Sequence, residues 1–112
     1  MLRVVNLRNY SLEKNEVLIK VDRSSPLGNP FFMANESMRD EVCDKYEVYM
    51  QDIISEYKNN GVIGKEKVNY VIEFNRIIHL VRQGKNVALG CWCFPKRCHA
   101  LSIKNEIESI LR

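Results

Sequence analysis

Hydrophobic and polar positions follow two rhythms along this chain. Short β-branched and apolar runs stand at 3–7 (Arg-Val-Val-Asn-Leu), 17–22 (Val-Leu-Ile-Lys-Val-Asp) and 86–91 (Asn-Val-Ala-Leu-Gly-Cys). Each is too short for a helix and apolar enough for a largely buried strand. Elsewhere apolar residues recur at helical spacing. Val42, Tyr46, Tyr49, Met50, Ile53, Ile54 and Tyr57 predict a long amphipathic helix over 37–58 with an acidic outer face. Ser37-Met38-Arg39-Asp40 reads as its capping box, the Ser37 hydroxyl accepting from the Asp40 amide, and Asn59-Asn60-Gly61 ends it. Tyr70, Phe74, Ile77, Ile78 and Val81 predict a second helix over 66–83, stopped by Gly84. Ala100, Ile103, Ile107, Ile110 and Leu111 predict a third over 98–111.

The resulting order is β-β-α-α-β-α. It predicts an α/β fold, a small Rossmann-like sheet of about three strands covered by three helices. The polar stretch 8–16 reads as a loop. So does Ser24-Ser25-Pro26-Leu27-Gly28-Asn29-Pro30-Phe31-Phe32, where two prolines and a glycine exclude regular structure. A chain of 112 residues, 46% hydrophobic and 28% charged, suits one domain over 1–112 with its own core. Its apolar runs are too short for a membrane span, and the N-terminus lacks a signal peptide's apolar stretch. A cytoplasmic location is expected.

The net charge of +3 is too small to mark a nucleic-acid binder by itself. Its distribution is more informative. Residues 26–56 carry two bases and seven acids, a net −5, whereas residues 57–112 carry ten bases and four acids, a net +6. The acidic part coincides with the first helix.

Three of the four cysteines, Cys91, Cys93 and Cys98, fall within eight residues, and His99 follows at once. In a reducing compartment such a cluster reads as metal ligands or reactive thiols before disulfides. Three readings compete. Cys91, Cys93, Cys98 and His99 have the composition of a Cys₃His zinc site, although one tight cluster would have to supply every ligand. Alternatively, Cys98 is a thiolate of lowered pKa at the start of the last helix. That helix would begin near Pro95, and Lys96 and Arg97 would flank the thiolate. The same helix end would bind an anion through its free amides, with His99 as acid or base. Finally, the cysteines are small buried hydrophobes, which suits Cys91 at the end of a buried strand and Cys43 in the first helix. Trp92, the single tryptophan, could stack on a base or cap the core.

The run Val4-Val5-Asn6-Leu7-Arg8, then Gly28-Asn29-Pro30-Phe31, Arg39 with Tyr46, and Leu89-Gly90-Cys91-Trp92-Cys93 with Pro95 and Cys98-His99 resembles the domain-of-unknown-function family 4326. That family consists of small bacterial and phage proteins. It brings no established activity. The resemblance implies a shared pocket built from Asn6, Arg8, Arg23, Gly28, Asn29, Cys93, Cys98 and His99. Ala100 stands where the family commonly has a glycine, and alanine favours helix there.

The expected function is a small domain binding an anionic nucleotide or nucleic-acid-derived ligand. Asn6, Arg8, Arg23, Gly28, Asn29, Lys96 and Arg97 would bind it, and Cys93, Cys98 and His99 would supply any chemistry. Two alternatives stand beside it. One is a phage-encoded interaction protein that inhibits a host or defence factor through the acidic, tyrosine-rich helix. The other is a zinc-stapled structural domain.

Overall fold

A computed structural model describes residues 1–61 and 64–112. The elements are β1 (Leu2–Asn6), β2 (Glu16–Lys20), α1 (Arg39–Asn60), α2 (Lys65–Arg82), β3 (Asn86–Cys91) and α3 (His99–Leu111). The three strands form one sheet of order β1-β3-β2, with both pairings parallel. This is the expected α/β fold with a small three-stranded sheet and three helices.

The last strand lies in the middle. Every residue of β3 after Asn86 is buried, as a strand covered on both faces requires. Register aligns Leu2 with Val87 and Val17, and Val4 with Leu89 and Ile19. These rows join Tyr46, Ile53, Tyr70, Phe74, Ile77, Ile103 and Ile107 of the helices in one core. The opposite face carries the next row, Val5, Gly90 and Lys20. There Leu7 lies over Gly90, and a Cβ on Gly90 would stand 2.5 Å from its Cδ2.

Both early strands end sooner than their apolar pattern suggests. Leu7 leaves β1 to cover Gly90, while its amide still donates to the Cys91 carbonyl at 2.7 Å. Val21 and Asp22 leave β2, with the Val21 amide donating to the Gly90 carbonyl at 2.9 Å. The predicted capping box at Ser37 does not form. A 3-10 turn, Glu36–Met38, precedes α1, and Asn35 caps it by accepting from the Ser37 amide at 3.1 Å. The Ser37 hydroxyl also donates to Asn35 Oδ1. The other end is as expected: Gly61 takes φ +65° and its amide donates to the Tyr57 carbonyl at 2.9 Å.

Two buried tyrosines tie the helices to the loop after β2. Tyr46 Oη donates to the Leu27 carbonyl at 2.8 Å and lies 2.8 Å from Tyr70 Oη. Leu27 and Tyr46 are fully buried and Tyr70 nearly so. The loop 22–31 is thereby anchored to the core.

Candidate functional site

The carboxyl ends of β2 and β3 open onto a cavity of about 350 Å³. Ligands of open parallel sheets bind on this side, and the size suits a small molecule. Three segments build its walls: the loop after β2, the first turns of α1, and the cysteine loop leading into α3.

The loop after β2 is folded tightly on itself. Asp22 accepts from Ser24 Oγ at 2.5 Å and from the Trp92 indole at 2.9 Å. Burial pushes the Asp22 carboxyl up, but these hydrogen bonds outweigh it and hold the group below its ordinary value. Asn29 Oδ1 accepts from the Phe31 amide at 2.9 Å, and Arg23 donates to the Phe31 carbonyl at 2.9 Å. Gly28 permits the fold: a Cβ there would stand 2.4 Å from the Asp22 carbonyl oxygen. Arg23 and Asn29 line the cavity, whereas Gly28 supports the wall from behind.

The first turns of α1 close the opposite side with Arg39, Val42 and Cys43. Arg39 grips Glu36 through two hydrogen bonds, 2.9 and 2.6 Å, and donates to the Arg97 carbonyl at 2.9 Å. Glu36 is held down at about 2 by Arg39 first and then by Lys96. Arg97 reaches across to Asp40 at 3.1 Å and Asp44 at 2.8 Å. These contacts clamp the cysteine loop to α1.

The placement of the basic pair therefore differs from expectation. Lys96 pairs with Glu36 at 3.2 Å and does not line the cavity. Arg97 does line it, but its guanidinium is engaged by the acids of α1. Neither stands free beside an anion. Nor does the last helix begin near Pro95. It begins at His99, because Cys98 takes extended angles (φ −149°, ψ 166°) as its N-cap. No side chain caps that helix end, and it faces the cavity through Cys98 and His99.

Asn6 and Arg8 lie elsewhere. They line a separate shallow groove with Tyr10, Phe94 and Pro95, which shares no residue with the cavity. Asn6 has a structural task there, since its Nδ2 donates to the Phe94 carbonyl at 2.6 Å and its Oδ1 accepts from the Arg8 amide at 2.8 Å. It fixes the cysteine loop from the β1 side.

The sulfur atoms are arranged in a way the spacing did not reveal. Cys91 and Cys98 are both buried, and their Sγ atoms lie 3.0 Å apart at the cavity wall. The Cys91 thiol is pulled down, first by its contact with Cys98. The amides of Phe94 and Cys93 also favour its charge. Cys98 is driven up, by Cys91 first and then by burial. The two act as one pair sharing a proton. Cys93 is half-buried and also lines the cavity, beside Arg39. Burial raises the Cys43 thiol.

His99 is buried, with its Nε2 donating to the Val21 carbonyl and its ring 5.0 Å from that of Tyr46. Burial lowers its pKa, so it is neutral near pH 7. With the proton on Nε2, Nδ1 carries the lone pair. Among the described residues Nδ1 has no hydrogen-bond partner, and the ring lines the cavity. His99 Nε2 is thus committed to the Val21 carbonyl, while the ring shares the cavity with the three cysteines. Among the described residues no group of three or more His, Cys, Asp or Glu side chains converges for a metal ion. No described helix is long and apolar enough to cross a membrane.

Sequence reasoning left Asp22, Arg39, Met33, Val42 and Cys43 out of the site. One signal was present. Arg39 is a base in the first turn of a helix, against the dipole, and Cys43 follows it four residues later on the same face. Nothing in the sequence marked Asp22 or Met33.

No curated protein and no solved structure matches this chain. A protein-family description does, over residues 5–109, and so takes in all three walls of the cavity. The chain belongs to the family described as Domain of unknown function (DUF4326).

Proposed function

We propose that this protein binds a small anionic ligand, of nucleotide or nucleic-acid-derived type, in the cavity at the carboxyl ends of β2 and β3. One observation carries the reading: the start of α3, Arg23, the Asn29 amide and the His99 ring meet around one cavity of suitable size. Helix N-terminal amides and a guanidinium favour negative charge. Trp92, 56% exposed at the rim, offers a flat surface for a base. Chemistry at the site would run through the Cys91–Cys98 thiolate, with His99 Nδ1 as proton acceptor and Cys93 beside it.

Trp92 also provides the assay, because it is the only tryptophan. Its fluorescence should change saturably on titration with nucleoside monophosphates. Inorganic phosphate should compete weakly. Arg23→Ala should weaken binding roughly tenfold, the loss of one charge-assisted hydrogen bond. Titrations with nucleobases, nucleosides, monophosphates and short oligonucleotides that leave the fluorescence unchanged would defeat the proposal. So would binding that Arg23→Ala leaves intact.

A further inference from the structure

We infer that Cys91 and Cys98 form a redox-active dithiol that closes reversibly to a disulfide in the wall of the cavity. This goes beyond ligand binding and does not depend on what the ligand is.

The geometry carries the inference. The two Sγ atoms are 3.0 Å apart, so bond formation asks them to approach by only about 1 Å. Each sulfur sits on a fixed piece of backbone. Cys91 ends the central strand, where register pairs it with Asn6, and the Cys91 carbonyl is held by the Leu7 amide at 2.7 Å. Cys98 is the N-cap of α3, and its carbonyl accepts from the Leu101 amide at 3.1 Å. The intervening loop is pinned on both sides, by Asn6 on the Phe94 carbonyl and by Arg39 on the Arg97 carbonyl. The sulfurs are therefore held together by the fold rather than by chance contact of mobile side chains.

Access and reactivity agree. Both residues are nearly inaccessible from bulk solvent, yet both line the cavity, so a small oxidant reaches them only through it. Around Cys91, the Cys98 thiol and the amides of Phe94 and Cys93 favour a thiolate. Cys43 sits by the same cavity but is pushed toward the neutral thiol by burial.

A hydroperoxide is the class of oxidant that fits. The Cys91 thiolate attacks the terminal peroxide oxygen. The S–O bond forms, the O–O bond breaks, and the departing alkoxide takes a proton from water to leave as an alcohol. Cys98 then attacks the Cys91 sulfenic sulfur. The S–S bond forms, the S–O bond breaks, and hydroxide leaves with the Cys98 proton as water. Two thiols are oxidised to one disulfide, and one hydroperoxide is reduced to an alcohol and water.

The test treats the full, reduced chain with hydrogen peroxide under native conditions and then counts thiols after denaturation. The expected count falls from four to two, and peptide mapping finds a Cys91–Cys98 link that dithiothreitol reverses. Cys43→Ser and Cys93→Ser should keep that link. Cys98→Ala should lose it and leave a sulfenic acid on Cys91 that a cyclic 1,3-dione traps. If Cys98→Ala does not fold, mapping of the wild-type link decides alone. Retention of all four thiols overturns the inference. So does a link through Cys93 or Cys43, or stoichiometric zinc in the untreated protein that blocks oxidation. A disulfide that forms in a protein binding no nucleotide would leave this inference standing and remove only the proposed function.

Discussion

The hydroxyls of Tyr46 and Tyr70 allow a prediction whose sign and size both follow from proton placement. Tyr46 Oη donates to the Leu27 carbonyl, so its single proton is committed there. At 2.8 Å, the second contact must then have Tyr70 as donor and Tyr46 as acceptor. Tyr46→Phe removes both interactions. It leaves a carbonyl and a hydroxyl unpaired in the core, at about 1–3 kcal/mol each, so the expected loss is about 2–6 kcal/mol. Tyr70→Phe removes only a donor to an oxygen that keeps its own bond, and the expected loss is about 1 kcal/mol. The double variant leaves only the Leu27 carbonyl unpaired. It should therefore be no less stable than Tyr46→Phe alone, a clear departure from additivity. Equilibrium urea unfolding of the four proteins reads this as midpoint shifts at constant slope. Against a total stability of about 5–15 kcal/mol for a typical domain, the larger loss is easily resolved. Because Leu27 anchors the loop 22–31, Tyr46→Phe should also weaken ligand binding more than Tyr70→Phe does. Equal losses for the two single variants, or the reverse order, would refute the proton assignment.

Gly28→Ala should destabilise more than Gly90→Ala. The new methyl at 28 meets the Asp22 carbonyl oxygen at 2.4 Å and the Arg23 Cα at 2.7 Å, both backbone, whereas at 90 it meets the tip of Leu7, which can turn aside. Overpacking typically costs about 1–3 kcal/mol, and position 28 should lie at the upper end by thermal unfolding. The Arg3–Glu16 pair, 2.7 Å apart, should contribute a pH-dependent term. The hydrogen bond from Arg3 lowers Glu16 from 4.5 to about 2. A depressed carboxyl stabilises fully above its unfolded value and loses that stability as pH falls through its folded value. Wild type should therefore lose a stability term between about pH 4.5 and 2 that Glu16→Gln lacks, which thermal melts across that range can check. His99, lowered mainly by burial, has the opposite chemistry. The unfolded chain binds its proton more readily, so stability falls as pH drops below 6.5, and His99→Asn should flatten that slope.

The fold was largely legible because its strands and helices bury continuous or periodic apolar faces. The run 86–91 reads as a buried strand, and it is the central one. The strand ends were less legible. Val21 continues the apolar pattern of β2, but its backbone serves Gly90 and His99. At the start of α1 the pattern points to Ser37 as the cap, whereas Asn35 caps the turn that leads into the helix. Only the extended backbone at Asn35 (φ −156°) decides between them. The cysteine segment stood out as the site's centre from composition alone. That Cys91 and Cys98 form the pair did not, because that depends on a sulfur–sulfur distance across a folded loop. Asn6 and Gly28 were expected at the ligand. Their demands are local instead, one holding the Phe94 carbonyl and the other making room for the Asp22 carbonyl.

The charge polarity along the chain takes on a different meaning once the contacts are known. The acidic, tyrosine-rich helix reads from the sequence as one surface for an outside protein partner. Part of that charge is paired within the chain, at its surface. Asp40 and Asp44 of α1 accept from Arg97, and Glu36 accepts from Arg39 and Lys96. Exposed ion pairs such as these contribute little stability each, about 0–1 kcal/mol. Their effect is geometric, since together they hold the loop 92–97 against α1 and keep the cavity walls in register. This arrangement weakens the case for α1 as a charge mimic, because part of its acidic face is already occupied. It also separates the cations by role. Arg39 and Arg97 are bound into the wall, whereas among the described residues Arg23 is held only through the Phe31 carbonyl. Arg23 is therefore the guanidinium with the most freedom to meet a ligand, and the residue at which the binding proposal is most exposed to failure.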